Sequence, residues 1–299
     1  MAYILGTQKR TFGTMNNADK LFLLIFGVLF LFVLHAVFAS VQDFSFKRLF
    51  SYLIRADENG NWHAGVLLQG VGMTLRLSLW SLALAFLTGS FVGIVSAHKS
   101  GVSALPGRLY VLVLRNMPPL VLLFLVFFFA SSVLTEFWGN AENSLAKSEY
   151  KGLFYVLAAP EGQLDRMAAC VLTLGLYEGA YIAEIVRAGI ESVPCGQWEA
   201  ARASGLTAWQ IRRHIIIPQA MRQSLAPLAG QSISTMKDSA IASIISLQEL
   251  TFQSMELMNV TGRTVEIWIL TALLYYCLCV FLEKLSKKWE CSIKWKPLQ

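Results

Sequence analysis

Charged side chains are scarce in this chain. Asp, Glu, Lys and Arg make up 15% of its 299 residues, against about 25% in an ordinary soluble domain. The apolar set reaches 55% and the mean hydropathy is +0.53, which excludes a soluble globular fold and points to a polytopic membrane protein. Period-two alternation is also missing. Runs such as Leu120 to Phe129 are continuously apolar, whereas barrel strands alternate between lipid and lumen. Helices satisfy their own backbone in lipid and are the expected element. The four histidines (His35, His63, His98, His214) are scattered, so no nucleophile–base pair or metal cluster can be drawn. None of the five cysteines falls in an outer loop of the topology below, so no disulfide framework is expected. Cys277 and Cys279 are two apart on a helix and do not share a face. A Gly-x-x-x-x-Gly-Lys-Ser/Thr phosphate loop is absent, so the chain is not expected to bind ATP itself. No catalytic residue, metal or cofactor is assigned.

What is present is a set of apolar runs near the 20 residues a membrane helix needs: residues 21–39, 70–97, 115–134, 167–186, 218–250 and 265–282. The fifth is long enough for two pieces. The fold class is therefore all-α, with about six transmembrane helices. With the N-terminus inside, fourteen basic residues fall in cytoplasmic segments against seven outside. That bias supports N-in and C-in, and rules out nucleic-acid binding as the reason for the net charge of +6. The first run has a plausible cleavage site at Val37-Phe38-Ala39, but its 19 residues exceed a usual signal-peptide core. A retained anchor is expected. Outer loops 40–64, with a turn around Asn59-Gly60, and 135–165 are too short for soluble domains. Trp62, Trp138 and Tyr150 fall at outer edges, as interface anchors do.

One polar, basic stretch interrupts the apolar pattern between residues 187 and 217, on the cytoplasmic side. Pro194 and Gly196 are expected to break the preceding helix after Arg187. Gln197 to Ser204 can form a short helix in which Ala200, Ala201 and Ala203 allow close approach. Gly205 suits a left-handed helix end. Thr207 and Gln210 have capping-box spacing for a second helix, and Pro218 fits the first turn of the next span. The stretch thus reads as two short helices meeting at a glycine, with Glu199 exposed. Residue chemistry alone leaves open whether it docks a partner or is an ordinary interfacial loop.

The spacing Glu199-Ala200-Ala201, Gly205, Ile215 and Ile217-Pro218 resembles the signature loop of the permease subunits of bacterial ABC importers, with Ile217 where the family has Leu. Residues 180–187 through Ser192-Val193-Pro194 and Gly196-Gln197-Trp198-Glu199 resemble its polar amino-acid branch. Gly72-x-Thr74-Leu75, Tyr110-Val111, Arg115-Asn116-Met117-Pro118, Lys237-Asp238-Ser239 and Glu249-Leu250 match further, so the resemblance covers about residues 70 to 285. It implies a five-helix core, to which residues 21–39 add a sixth. It also implies a multi-pass protein of the bacterial inner membrane that is not itself an enzyme. Its implied partners are cytoplasmic ATPase subunits, a second permease subunit (identical or related) and a periplasmic or lipid-anchored amino-acid-binding protein. Glu199, Ala200, Ala201, Gly205, Ile215 and Pro218 would form the coupling element on the ATPase. The expected division is residues 1–63 (tail, extra helix, first outer loop), 64–290 (transporter domain with loop 187–217) and 291–299 (cytoplasmic tail). The alternative is an ATP-independent secondary transporter or channel, which offers no reason for the Glu199 segment.

Ionisable residues within the spans are costly in lipid and usually face a cavity or a partner. Glu184 lies one turn from Arg187 and reads as an intramolecular pair. Glu178 could bind a substrate ammonium or cationic side chain, or pair internally. Arg115 could hold a substrate carboxylate or anchor the span at the interface. Lys237-Asp238 marks a break in the fifth run and is either a gate or a local ion pair. Gly175-x-x-x-Gly179 is expected to serve core packing.

Overall fold

The computed structural model describes residues 17–40, 46–57, 60–97, 104–147 and 151–294. Tyr150 and residues 295–299 of the tail lie outside them. Helix α1 (Asn17–Ser40) carries the first apolar run. Its side chains from Leu21 to Phe26 are each more than half exposed, the surface of a helix that faces lipid. Where a plain outer loop was expected, the chain forms α2 (Phe46–Leu53) and a hairpin of β1 (Ile54–Ala56) and β2 (Trp62–Ala64). Ile54 pairs with Ala64, Arg55 with His63 and Ala56 with Trp62. Gly60 makes the turn at φ +78°. Among the described residues the architecture is otherwise helical.

Two long helices form the axis of the fold, α3 (Val66–Ser96) and α7 (Leu164–Glu191). Their contact is made by glycine on both sides. A Cβ on Gly89 would come within 2.6 Å of the Gly179 carbonyl, and one on Gly93 within 2.6 Å of the Ala183 carbonyl. Gly175 and Gly179 in turn lie against Leu84 and Thr88. The small residues thus let the two backbones approach as in other membrane helix pairs, the packing role expected for Gly175 and Gly179.

The expected span at 115–134 is differently built. Residues before it form a separate helix, α4 (Leu105–Asn116), and α5 (Pro119–Ala146) leaves it at an angle of 108°. The cause is Pro118-Pro119: a residue before proline is pushed out of the helical region, and Met117 is extended (φ −93°, ψ 138°). Arg115 therefore closes α4 instead of opening the span. The second outer loop is also largely helical: α5 runs on to Ala146, and α6 (Lys151–Leu157) follows. α6 is tied to α3, where Arg76 donates to the Tyr155 carbonyl (3.3 Å) and Trp80 to that of Leu157 (2.9 Å).

The fifth run is broken where Lys237-Asp238 suggested. α10 (Ile217–Asp238) gives way to a 3₁₀ stretch, Ser239–Ile245, and Ser246 turns left-handed at φ 60°. Helix α11 (Leu250–Thr261) then ends at Gly262, φ +69°, and α12 (Thr264–Lys294) completes the described chain. Among the described residues, α3, α7 and α12 are long and apolar enough to cross a membrane, and the bent α4–α5 pair makes a fourth. α10 falls short because Arg222, Gln223, Gln231, Lys237 and Asp238 interrupt its apolar surface. One core cluster gathers Met73, Leu77, Leu123, Met167, Leu174 and Leu247 at the end of the bundle near the 3₁₀ stretch. A second, at the other end of α7, holds Val193, Ala201, Ile211, Ile216 and Ala220.

Candidate functional site

The second cluster is the base of a distinct surface unit. α7 continues to Glu191, one turn beyond the expected break at Arg187, and Pro194 then caps α8 (Cys195–Ala203). Gly196 belongs to the first turn of α8 and is no breaker. α8 ends at Gly205, whose φ of +76° only glycine adopts without strain. The short α9 (Ala208–Ile211) begins with a complete capping box. The Gln210 N–H donates to the Thr207 hydroxyl (3.4 Å), and the Thr207 N–H donates to the Gln210 side chain (2.9 Å). Residues Arg212–Ile216 form a π-helical turn, in which the Ile217 N–H bonds to the Arg212 carbonyl. Pro218 lies in the first turn of α10, but that turn continues directly from the π-helical one, so the proline withholds one donor from a continuous helical run instead of opening a free helix end as expected.

This arrangement divides the predicted residues by direction. Glu199, Ala200 and Gly205 are exposed on the outer surface of the unit, whereas Ala201 is buried in its base and Ile215 and Pro218 are half-buried. The apolar base joins the unit to the ends of α7 and α10. A cavity of about 460 Å³ under α8 is bordered by Ile94, Ile190, Trp198, Glu199, Arg202 and Arg212.

The charged residues of the spans form two groups. Near the same end of α7, Arg187 grips Glu184 with two nitrogens (2.5 and 2.9 Å) and reaches Glu191 (2.6 Å). Arg115 approaches Glu184 at 4.0 Å and lies over the Tyr181 ring at 5.0 Å. The expected Glu184–Arg187 pair is thus present, and Arg115 from α4 joins it. Together with Arg108 and Asn116 these residues border a cavity of about 600 Å³ between α4 and α7.

Glu178 lies at the middle of α7, away from that group. It is fully buried, and Gln231 of α10 donates to its Oε2. Its Oε1 has no hydrogen-bond partner among the described residues. Thr235 and Asp238, one and two turns along α10 from Gln231, also face it. A helix of 28 residues is about 42 Å long, so the buried Glu178 and the half-buried Asp238 face each other near the middle of α7. Lys237 does not join them: it is exposed, and no ion pair from it to Asp238 is found.

Glu249 escaped assignment as a site residue. Fully buried, it caps α11 by accepting the N–H groups of Thr251 (2.9 Å) and Phe252 (2.8 Å), and the Tyr275 hydroxyl donates to it at 2.9 Å. The Gln163 amide exchanges hydrogen bonds with Gln248 next door (3.0 and 3.2 Å), and Arg166 donates to the Ser246 carbonyl (3.1 Å). The segment after the break is thus pinned from α7, α11 and α12. The visible signal was Glu249 one residue before an apolar run, an N-cap position for a carboxylate.

The sequence model described as "Binding-protein-dependent transport system inner membrane component" matches residues 89–287. The probable amino-acid ABC transporter permease protein YckA of Bacillus subtilis is 32% identical over 229 residues, which span 74% of this chain and 88% of YckA. The glutamate/aspartate import permease protein GltJ of Escherichia coli is 29% identical over 77% of this chain and 88% of its own length. Among solved structures, the crystal structure of an amino acid ABC transporter with histidines superposes with a TM-score of 0.60 at 30% identity, covering 76% of this chain and 94% of that one.

Proposed function

Since the chain belongs to the family of binding-protein-dependent transport system inner membrane components, we propose that it is the permease subunit of an ATP-driven importer for polar amino acids. It is a multi-pass protein of the inner membrane. The observation that carries the mechanistic reading is the α8–α9 unit, a polar surface on an apolar base that continues into the transmembrane helices. Such a unit can transmit a push without deforming. Glu199, Ala200 and Gly205 present the docking face to a separate ATPase subunit, while Ala201, Ile215 and Pro218 hold that face to α7 and α10. ATP hydrolysis is the partner's chemistry. A second permease subunit completes the pathway, and a binding protein delivers substrate to the opposite face. Switching between inward and outward access follows the different stabilities of the two states with and without nucleotide.

Substrate contact is assigned to the polar centre. Glu178 and Asp238 lie near the depth at which transporters of other folds bind their cargo, and a buried carboxylate with a free oxygen is a partner for an amino acid's ammonium group. The Arg115–Glu184–Arg187 group, nearer the α8 end, is the inner gate: its Arg115–Glu184 pair joins α4 to α7 and must loosen for the cavity between them to open. The test is reconstitution with the ATPase and binding protein in proteoliposomes, with uptake and ATP hydrolysis measured together. Uptake should require ATP. Glu199→Lys should abolish stimulation of hydrolysis by substrate-loaded binding protein while insertion stays normal. Wild-type uptake by this variant would rule out the role of Glu199, and uptake without the ATPase would favour a secondary transporter.

A further inference from the structure

Four side chains of α8 recur at positions i, i+3, i+4 and i+7: Cys195, Trp198, Glu199 and Arg202. That spacing puts them on one face of the helix. The face borders the cavity of about 460 Å³ under α8. Ile94 enters the same cavity from the end of α3, Ile190 and Glu191 from the end of α7, and Arg212 and Ile216 from the π-helical turn. The volume falls within the range of small-molecule sites, and an occupant would touch several elements at once.

The charges on the walls are balanced. Among the described residues they are Glu191, Glu199, Arg202 and Arg212, two acidic and two basic. Arg213 and His214 follow Arg212 but do not border the cavity. Glu191 is already held by Arg187 at 2.6 Å. Glu199, Arg202 and Arg212 make no ion pair among the described residues, although Glu199 and Arg202 stand one turn apart. A neutral lining argues against a ligand of high net charge. Open charges of both signs beside an apolar wall suit a small zwitterion that carries a side chain. Arg212 is half-buried and Glu199 is exposed at the rim, so a carboxylate has its partner inside and an ammonium group has its partner outside. Guanidinium groups match a carboxylate with paired hydrogen bonds.

We propose that this cavity binds a free α-amino acid on the cytoplasmic side, and that import product regulates the transporter there. The carboxylate meets Arg202 and Arg212, the ammonium group meets Glu199, and the side chain lies along Ile94, Ile190 and Trp198. Occupancy engages the Glu199 carboxylate that the docking face offers to the ATPase. Amino acid and ATPase therefore weaken each other's binding, equally by linkage, and accumulated product lowers coupled hydrolysis. The regulatory role rests on the importer reading; the binding does not.

The test uses the full chain with its ATPase subunits in nanodiscs, without binding protein. Tritiated L-glutamine, L-glutamate and L-arginine are the probes, read by scintillation proximity. At least one should bind saturably, and its N-acetyl derivative and its methyl ester, each lacking one of the two charges, should fail to compete. In the Glu178→Gln variant, whose transport site is weakened, this binding should keep its affinity. Arg212→Gln should weaken it about ten-fold or more, with Arg212→Lys intermediate. Absence of saturable binding of all three probes to the unmutated complex overturns the proposal, with no dependence on a variant's folding. So does equal competition by either derivative. Binding that weakens with Glu178→Gln belongs to the transport site and also overturns it. Regulation is read in right-side-out proteoliposomes, where the same amino acid in the lumen should slow initial uptake several-fold and Arg212→Gln should relieve the slowing. Uptake indifferent to luminal amino acid removes the regulatory role. Uptake that needs no ATPase counts against the importer reading and leaves the binding result standing.

Discussion

Glu178 combines full burial, a free carboxylate oxygen and a second acidic residue across the helix interface. Removing one partner of a buried, hydrogen-bonded charge pair costs about 2 kcal/mol or more, roughly a thirty-fold change in affinity. Glu178→Gln should therefore raise the half-saturating amino-acid concentration for ATP-driven uptake by about that factor and leave basal ATP hydrolysis unchanged. Direct uptake kinetics in proteoliposomes measure this. Glu249 makes the opposite case, since its four contacts with Thr74, Thr251, Phe252 and Tyr275 are all internal. Glu249→Ala removes an N-cap and leaves the Thr251 and Phe252 N–H groups without their acceptor, a loss of about 2–3 kcal/mol. It should lower the thermal unfolding midpoint in detergent, with Glu249→Gln intermediate. Both residues were legible as charges in apolar surroundings, but their difference was not. It depends on which elements pack against each carboxylate, and Gln231 and Tyr275 lie 53 and 26 positions away.

Local chemistry was a better guide at the level of elements. The left-handed Gly205 and the Thr207–Gln210 box each depend on residues within a turn of one another. The same locality misplaced the α4–α5 boundary. Met117 to Ala130 is uninterrupted in hydropathy, and only the backbone restriction at Met117 reveals that two helices meet there at 108°. The α2–hairpin unit was missed because three-residue strands carry too short a pattern to register. The α3–α7 pair gives the sharpest test at this scale. A Cβ on Gly89 already lies within 2.6 Å of the Gly179 carbonyl. Backbone cannot yield as a side-chain tip can, and overpacking typically costs about 1–3 kcal/mol. Gly89→Leu should reduce the yield of folded protein on size-exclusion chromatography, whereas Gly72→Leu, where a Cβ meets nothing within 4 Å, should be tolerated.

For the molecule as a whole, scarcity of charge and the placement of basic residues were enough to infer a bundle of membrane helices with a wet segment on one side. Which helices share an axis was not legible, because it is set by glycine contacts between α3 and α7, some ninety positions apart. The π-helical turn at Arg212–Ile216 has a consequence for how this chain tolerates changes in length. A π turn is an α-helix that has absorbed one additional residue, so the helices on either side keep the phase they would have without it. In a Pro218→Ala background, which restores the N–H that an uninterrupted helix needs at that position, deleting His214 should therefore close the turn into regular α-helix and leave α9 and α10 in their present rotational relation, whereas deleting Ala229 from the middle of α10 turns everything beyond it by about 100°. The first deletion should express and insert like the parent and the second should not, as membrane-fraction immunoblots would reveal. A single-residue gap at the first position would then be a neutral way for related chains to differ in length.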